Sequence, residues 1–308
     1  MTDPKQQVKN RFGERVREWA AHYSDLEPRS LGSQSVLSRQ RFALEMVQSA
    51  APCGSRILDV GCGTGEMVAK LTERGYEAWG VDLAEPMIAY ASRRYGSGRF
   101  RVGDIEKIPF DDSMFDAVVC LGVIEYLVDD DQALKEIRRV LKPGGSAIVS
   151  TPSAISPLHF MDRVVGALVQ AVRPLYRFVK YRLRGRQPPA PRFDAPVTVR
   201  RYHRGRWLRV LRSAGFEAQE CIGHGWGWYR SELGLVVQSV SRGATLSRRS
   251  LERMLGQGPL LRAKRRLVRS PTLNWLAWEH IVRMSAIKSG VLAMAGDLLG
   301  VIELVLLY

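Results

Sequence analysis

The feature that most constrains the fold of this chain is the stretch "RILDVGCGTGEM", residues 56–67. A short β-branched run is followed directly by three glycines at alternate positions, Gly61, Gly63 and Gly65, and then by a helical pattern. Glycine permits a tight turn and lets a ligand approach the backbone closely. The helix that follows offers free N–H groups at its N terminus. A turn of this kind predicts a nucleotide-like ligand at the edge of a parallel sheet, the alternative being a plain strand-to-helix turn.

The segments around this loop alternate between strand and helix patterns, which predicts a doubly wound, mostly parallel sheet covered on both faces. The predicted strands are 56–60, 77–83, 99–104, 115–122, 146–152 and 216–222, and the seventh is 298–306 in preference to 234–240. The predicted helices are 5–21, 34–49, 67–75, 85–96, 129–141, a helix from 204, and helical segments within 157–186 and 241–290.

The expected fold is therefore α/β and Rossmann-like, with a seven-stranded sheet, a helical insertion and a helical C-terminal elaboration. We divide it into N-terminal helices (1–50) capping the ligand site, the sheet core (51–152), a basic helical insertion (153–197) and the remainder of the fold (198–308).

Acidic residues at the ends of successive strands indicate a ligand that contains a ribose. Asp82 lies 21 residues after Gly61, where a carboxylate can accept hydrogen bonds from both hydroxyls of a ribose, although it could also cap the helix at 85–96. Asp104 ends the third strand at the same edge of the sheet. The glycine spacing is GxGxG, with Asp59 two residues before the first glycine, whereas nicotinamide dinucleotide sites use GxGxxG.

Several segments resemble successive motifs of class I S-adenosylmethionine-dependent methyltransferases, in order and correctly spaced. They are "LDVGCGTG", "GVDLAEPMIAYA", "GDIEKIPFDDSMFDAVVCLGVIEYL" and "ALKEIRRVLKPGGSAIVSTP". The pattern is most similar to the small-molecule and quinone-biosynthesis enzymes (methyltransferase type 11). It covers residues 10–150 tightly and 198–222 loosely.

The resemblance implies S-adenosyl-L-methionine as cofactor and assigns residues to its parts. Asp59 and Gly61 would meet its amino-acid end, while Gly63 and Gly65 shape the loop and Asp82 holds the ribose. Leu83 and Met87 would flank the adenine, Asp104 would contact its amino group with Ile105 alongside, and Leu121 and Val123 would line the path to the methyl group. Tyr23 would close over the cofactor, the alternative being an aromatic that packs between helices.

No catalytic residue is assigned. Methyl transfer is an in-line displacement in which positioning does most of the work, and a base is needed only if the acceptor must lose a proton. Quinone O-methyltransferases often carry Glu-His after the fourth strand, whereas this chain has Glu125-Tyr126. The remaining candidates are Tyr126, His159, His203 and His224, although a lone histidine is more often structural than catalytic. The four cysteines form no CxxC pair, so no metal site is predicted.

Charge is distributed unevenly along the chain. Residues 1–150 hold 20 basic and 22 acidic residues, whereas 151–308 hold 26 and 9. Within the basic half, 157–186 has an apolar helical face opposite arginines and lysines. Such a helix predicts docking on an anionic membrane surface, with a substrate lid as the alternative. Nucleic acid is the least favoured partner, because the (Asp/Asn)-Pro-Pro-(Tyr/Phe) motif is missing after the fourth strand.

The sequence thus predicts a methyltransferase that acts on a hydrophobic or lipid-linked small molecule, with O-methylation preferred. The alternatives are an RNA methyltransferase that uses the basic half and a non-catalytic module that has kept the cofactor fold. The N terminus lacks an apolar signal segment, so we expect a cytoplasmic protein, peripheral on the inner face of the membrane if the basic helix docks there.

Overall fold

The structure is a computed structural model that describes residues 3–23, 31–154, 200–224 and 279–286. In these ranges the helices are α1 (Pro4–Gly13), α2 (Val16–His22), α3 (Leu31–Ala50), α4 (Glu66–Glu73), α5 (Glu85–Tyr95), α6 (Asp130–Val140) and α7 (Arg204–Ser213). The strands are β1 (Arg56–Val60), β2 (Glu77–Asp82), β3 (Phe100–Val102), β4 (Phe115–Cys120), β5 (Leu141–Pro152), β6 (Phe216–His224) and β7 (Glu279–Ala286).

The described strands form one seven-stranded sheet in the order β3-β2-β1-β4-β5-β7-β6. The first five strands run parallel, and β7 lies antiparallel between β5 and β6. The strand order reverses between β1 and β4, and open α/β sheets bind ligands in the crevice outside the carboxyl ends of the strands at such a point. The predicted α/β class and the mostly parallel seven-stranded sheet are confirmed.

Strand β1 is buried on both faces because helices cover the sheet on each side. Ile57 packs in one buried cluster with residues of α3 and α4, and its neighbour Leu58 packs in the opposite cluster with residues of α6 and α7. Both side chains are fully buried. Burial on both faces removes the polar alternation of a half-exposed strand, which is why apolar residues occupy consecutive positions of β1, with Asp59 as the one polar residue among its buried positions.

The seventh strand is where the sequence prediction was wrong. The sheet takes it from Glu279–Ala286, instead of from 298–306, and this segment is extended although it falls in the stretch predicted to be helical, 241–290. Its Ile281, Val282 and Met284 are fully buried. The backbone of β7 pairs with β5 on one side and with β6 on the other, and the local spacing of apolar residues does not reveal such long-range pairing.

The N-terminal region also differs from the prediction. One helix was expected over 5–21, and the structure has two, broken at Glu14 and Arg15. A Cβ at Gly13 would lie 3.3 Å from the Pro86 ring, so this glycine lets the end of α1 pack closely on α5 before the chain turns into α2.

Several predictions fall outside the described residues, namely the basic helix at 157–186, His159, and the seventh-strand alternatives. No helix in the described ranges is both long enough and apolar enough to cross a bilayer.

Candidate active site

A cavity of about 330 Å³ lies at the carboxyl ends of β1, β2 and β4, beneath α1 and α2. Nine of the eleven residues predicted to bind the cofactor line it: Tyr23, Gly61, Gly63, Asp82, Leu83, Met87, Asp104, Ile105 and Leu121. Val123, predicted to line the path to the methyl group, also borders the cavity. The structure thus brings to one cavity residues that are up to 100 positions apart in the sequence.

The glycine loop is fixed to the neighbouring strand and leaves its other side open. The N–H groups of Gly61 and Cys62 both donate to the Val81 carbonyl, at 2.7 and 3.0 Å. Gly61 has a φ of 75°, and a Cβ there would lie 2.1 Å from Val123 Cγ2, so no other residue fits. Gly63 has a φ of 53°, and a Cβ there would meet no atom within 4 Å. The loop is therefore packed at Gly61 and open towards the cavity at Gly63.

The Asp82 carboxylate links this loop to the start of α5. Its Oδ2 accepts a hydrogen bond from Gly63 N at 2.9 Å, and its Oδ1 accepts one from Ala84 N at 2.8 Å. The residue at the N-cap of α5 is Ala84, so Asp82 is not the helix cap. Its two hydrogen bonds instead hold the glycine loop against the turn that leads into α5. Burial raises the pKa of Asp82, and the two N–H donors act against that rise. A carboxylate has about four acceptor sites, so two remain for a ligand.

Asp104 has an ion pair that the sequence did not suggest. Its Oδ2 lies 2.7 Å from Lys5 Nζ, and the same ammonium lies 2.6 Å from Glu106 Oε2. Burial acts to lower the pKa of Lys5, but the hydrogen bonds to both carboxylates outweigh it, and the pKa is raised. Helix α1 is thereby held over the end of β3, at the place where the adenine amino group was expected.

Asp59 and Gly65 lie behind the loop and do not line the cavity. A Cβ at Gly65 would lie 2.9 Å from Ala91 and Phe100, so this glycine serves the packing of α4 against α5 and β3. Asp59 is only 4% exposed. Burial, and then the nearby charges of Asp82 and Glu66, raise the pKa of Asp59 to about 8, while Arg39 opposes the shift.

Glu66 adds a further carboxyl group beneath the loop. It is 6% exposed, and its Oε2 accepts a hydrogen bond from Thr64 Oγ1 at 2.5 Å. Burial raises the pKa of Glu66 as well. Asp59, Glu66 and Asp82 therefore make the surroundings of the glycine loop strongly acidic, and such a site favours a positively charged ligand over an anion.

Arg39 is a site residue that the sequence analysis missed. It lies in α3, is 7% exposed and lines the cavity. A Cβ at Gly122 would lie 2.8 Å from its Nη1, so the guanidinium packs directly on the backbone that follows β4. Burial raises the pKa of Tyr23 to about 12, and the positive charge of Arg39 acts against this rise. Arg39 and Tyr23 are thus neighbours at the cavity, with Tyr23 neutral at physiological pH.

The other end of the cavity is aromatic. The Phe12 ring lies 5.4 Å from Trp19 and meets Tyr126 edge-to-face at 5.3 Å between ring centroids. Val8 and Leu127 extend this apolar lining, and the buried Glu125 carboxylate adjoins it. The cavity therefore changes from acidic at the glycine loop to aromatic beneath α1 and α2.

The candidate catalytic residues differ in whether they line the cavity. Tyr126 lines the cavity, whereas His203 caps α7, where its Nδ1 accepts a hydrogen bond from Gly205 N at 3.3 Å. His224 is the last residue of β6, and its side chain lies outside the described part of the structure. In the described ranges, no group of three or more His, Cys, Asp or Glu side chains could hold a metal ion.

Comparisons with known sequences match the part of the chain that forms strands β1 to β5. A family model for a methyltransferase domain matches residues 58–149. A demethylmenaquinone methyltransferase of Thermus thermophilus is 38% identical over 131 residues, covering 41% of this chain and 59% of the relative. A malonyl-[acyl-carrier protein] O-methyltransferase of Serratia marcescens is 37% identical over 101 residues, covering 33% of this chain and 40% of the relative. The chain spans about half the length of these curated relatives.

Solved structures share the fold at low identity. A magnesium protoporphyrin IX methyltransferase from Synechocystis, with bound SAH, matches with a TM-score of 0.56 and 14% identity, covering 92% of this chain and 99% of that one. The [4+2]-cyclase SpnF matches with a TM-score of 0.56 and 17% identity, covering 92% and 97%. Residues 58–149 thus match a methyltransferase domain, and the sheet that contains them has the fold of the solved S-adenosylmethionine-dependent methyltransferase structures.

Proposed function

We propose that this chain transfers a methyl group from S-adenosylmethionine to an oxygen atom of a hydrophobic or lipid-linked small molecule. The observation that carries the proposal is the two-ended cavity, in which the acidic glycine loop continues into a chamber lined by Phe12, Trp19 and Tyr126. The first end suits a cationic cofactor, and the second suits the apolar body of an acceptor. The relatives include enzymes named for demethylmenaquinone and for malonyl-[acyl-carrier protein], which supports an acceptor of this class.

The residues at the loop fit the cofactor. The open side of Gly63 leaves room for its amino-acid end, and the Arg39 guanidinium is a partner for the carboxylate there. The free acceptor sites of Asp82 suit the ribose hydroxyls, and Asp104 suits the adenine amino group once Lys5 gives way. When bound, the cofactor supplies a methyl group on a positively charged sulfur, so the acidic loop also matches its charge.

The chain itself contributes to methyl transfer in three ways: it positions the acceptor, keeps water out of the passage and accepts the proton of the acceptor hydroxyl. Leu121 and Val123 border the cavity between the loop and the aromatic chamber and keep that passage apolar. A hydroxyl acceptor must lose its proton as it is methylated. The Glu125 carboxylate is 7% exposed and lines the cavity beside Tyr126, which suits it to take this proton. A base at this place is what favours O-methylation within the proposal.

An anionic membrane surface is the partner we propose for the basic half. In α7, Trp207 and Leu211 are buried, while Arg206, Arg209 and Arg212 are exposed on the opposite face. Each basic residue near an anionic bilayer contributes roughly 1 kcal/mol. Vesicles with 30% phosphatidylserine should therefore sediment the protein more strongly than neutral ones. Replacing the three arginines by Gln, or raising the salt concentration, should reduce that binding.

The function is tested with radiolabelled S-adenosylmethionine and two acceptor pools, a total lipid extract and total RNA. The expected result is label in a lipid-extractable product and none in RNA. Asp82→Ala should weaken cofactor binding about ten-fold or more, because a hydrogen bond to a charged group contributes about 1.5–3 kcal/mol. Label in RNA would favour the RNA methyltransferase, and tight binding without transfer to any pool would favour a non-catalytic module. If Asp82→Ala binds the cofactor as wild type does, the ribose assignment is wrong.

A further inference from the structure

Among the described residues, four cationic side chains line the cavity, and two of them have roles at the cofactor end. Lys5 is paired with Asp104 at 2.7 Å, and Arg39 is buried against Gly122. The other two are Lys9 and Arg201. Within the described ranges, neither of these side chains has an ion pair or a hydrogen bond, so both have donors available for a ligand.

Lys9 and Arg201 approach the aromatic chamber from separate elements. Lys9 lies in α1, three residues before Phe12, so the two side chains are on the same helical face. Phe12 in turn meets Tyr126 edge-to-face. Lys9 is therefore at the aromatic end of the cavity, one turn of helix from the ring that closes it.

The backbone fixes Arg201 near the same place. The N–H of Arg200 donates to the Glu125 carbonyl at 2.7 Å, and the hydroxyl of Tyr202 donates to Asp130. Tyr202 is also buried and packs on Trp207, with ring centroids 4.8 Å apart. Residues on both sides of Arg201 are thus anchored, one of them on the carbonyl next to Tyr126.

We propose that the acceptor carries an anionic group, a carboxylate or a phosphate, which Lys9 and Arg201 bind while its apolar part lies against the aromatic chamber. This inference rests on the proposed function and specifies its acceptor. A guanidinium binds carboxylate or phosphate in two parallel hydrogen bonds, and an ammonium adds a point charge. An anion held there also lies away from the acidic glycine loop, so the charge of the acceptor orients it with its apolar part in the chamber.

The test uses three naphthalene probes that share one ring system: 2-naphthoate, 2-naphthyl phosphate and the uncharged 2-naphthamide. Their binding is measured by calorimetry with the cofactor site saturated by S-adenosylhomocysteine. We expect at least one of the anions to bind ten-fold or more tightly than the amide. The anion that binds more tightly tells whether the natural group is a carboxylate or a phosphate.

Variants assign the effect to the two cations. Lys9→Met and Arg201→Met should each weaken binding of the preferred anion about ten-fold and leave the amide unchanged. Arg93→Met, which removes an exposed arginine of α5 outside the cavity lining, is the matched control and should bind all probes as wild type does. Circular dichroism establishes that each variant is folded.

Two results would overturn the inference: equal affinity for the anions and the amide, or an equal loss of anion binding in Arg93→Met and Arg201→Met. Both are distinct from failure of the proposed function. That failure would appear as loss of S-adenosylhomocysteine binding by the wild-type protein, or as absence of methyl transfer to the lipid extract. Retained binding of S-adenosylhomocysteine with no preference for the anions would reject this inference alone.

Discussion

Replacing Asp59 by Asn should stabilise the cofactor-free protein at neutral and alkaline pH. In the folded protein, burial and the charges of Asp82 and Glu66 raise the pKa of Asp59 to about 8. In the unfolded chain a carboxyl group titrates near its ordinary value of about 4. Between these two values the folded state holds a proton that the unfolded state has lost. Unfolding therefore releases a proton, and the free energy of unfolding falls as pH rises.

The size of the effect follows from the same two pKa values. One pKa unit corresponds to about 1.4 kcal/mol, so the cost of Asp59 grows by up to that amount for each pH unit from about 4 to about 8. Relative to wild type, Asp59→Asn should gain up to about 5 kcal/mol of stability between pH 4 and pH 8. Below pH 4 both states are protonated and the residue has no pH-dependent effect, whereas above pH 8 the full cost is reached.

The assay is urea unfolding at pH 5, 6, 7 and 8 without cofactor, with Asp116→Asn as control. Burial acts to raise the pKa of Asp116, but the Lys142 ammonium at 2.7 Å and the Arg56 N–H at 2.8 Å outweigh it, and the pKa is lowered. Its stabilising effect is lost only as pH falls below about 4, so Asp116→Asn should lower stability by a constant amount throughout this range. Parallel curves for wild type and Asp59→Asn from pH 5 to pH 8 would refute the reasoning.

Three further substitutions test the site. Gly61→Ala should weaken cofactor binding more than about 100-fold by calorimetry, because its Cβ would lie 2.1 Å from Val123 Cγ2 at a φ of 75°, where L-residues are strained. Val123→Ala in the same chain should restore only part of the affinity, since the strain remains. Lys5→Met should raise cofactor affinity a few-fold by freeing Asp104 for the adenine, and an unchanged dissociation constant would show that the ion pair does not compete. Glu125→Gln should lower the single-turnover rate about 10²–10⁴-fold and remove its dependence on pH, with cofactor affinity retained; a wild-type rate would eliminate this base.

The part of the site that was predictable is the part encoded in short stretches of sequence. Gly61 and Gly63 follow a buried strand directly, and Asp82 ends the next strand. Parallel strands place their carboxyl ends at one edge of a sheet, so recognising the strands was enough to bring these residues together. The buried strands were recognisable in the sequence as short runs of mostly apolar residues, because helices cover both faces of the sheet.

The residues that were missed depend on contacts between distant segments. Lys5 meets Asp104 across 99 positions, and nothing in the composition of α1 distinguishes it from a lysine exposed to solvent. Arg39 stands in "LSRQRF", a polar stretch typical of a helix surface, yet it is 7% exposed because α3 packs over the end of β4. Strand β7 likewise takes its conformation from pairing with β5 and β6, which overrides the helical spacing of its local sequence.

The electrostatics of the loop give a reason, independent of glycine spacing, for the choice of cofactor. A dinucleotide would place its pyrophosphate at the N terminus of α4, where the helix dipole favours an anion. Here, however, the carboxyl groups of Asp59, Glu66 and Asp82 surround that position, and burial has already raised the pKa of each. Two further negative charges would increase their repulsion, whereas a sulfonium and an ammonium would relieve it and allow Asp59 to ionise. The same buried carboxyl groups lower the free energy of unfolding of the cofactor-free protein at neutral pH and favour a cationic cofactor over an anionic one. The selectivity of this loop and the loss of stability therefore have one physical origin.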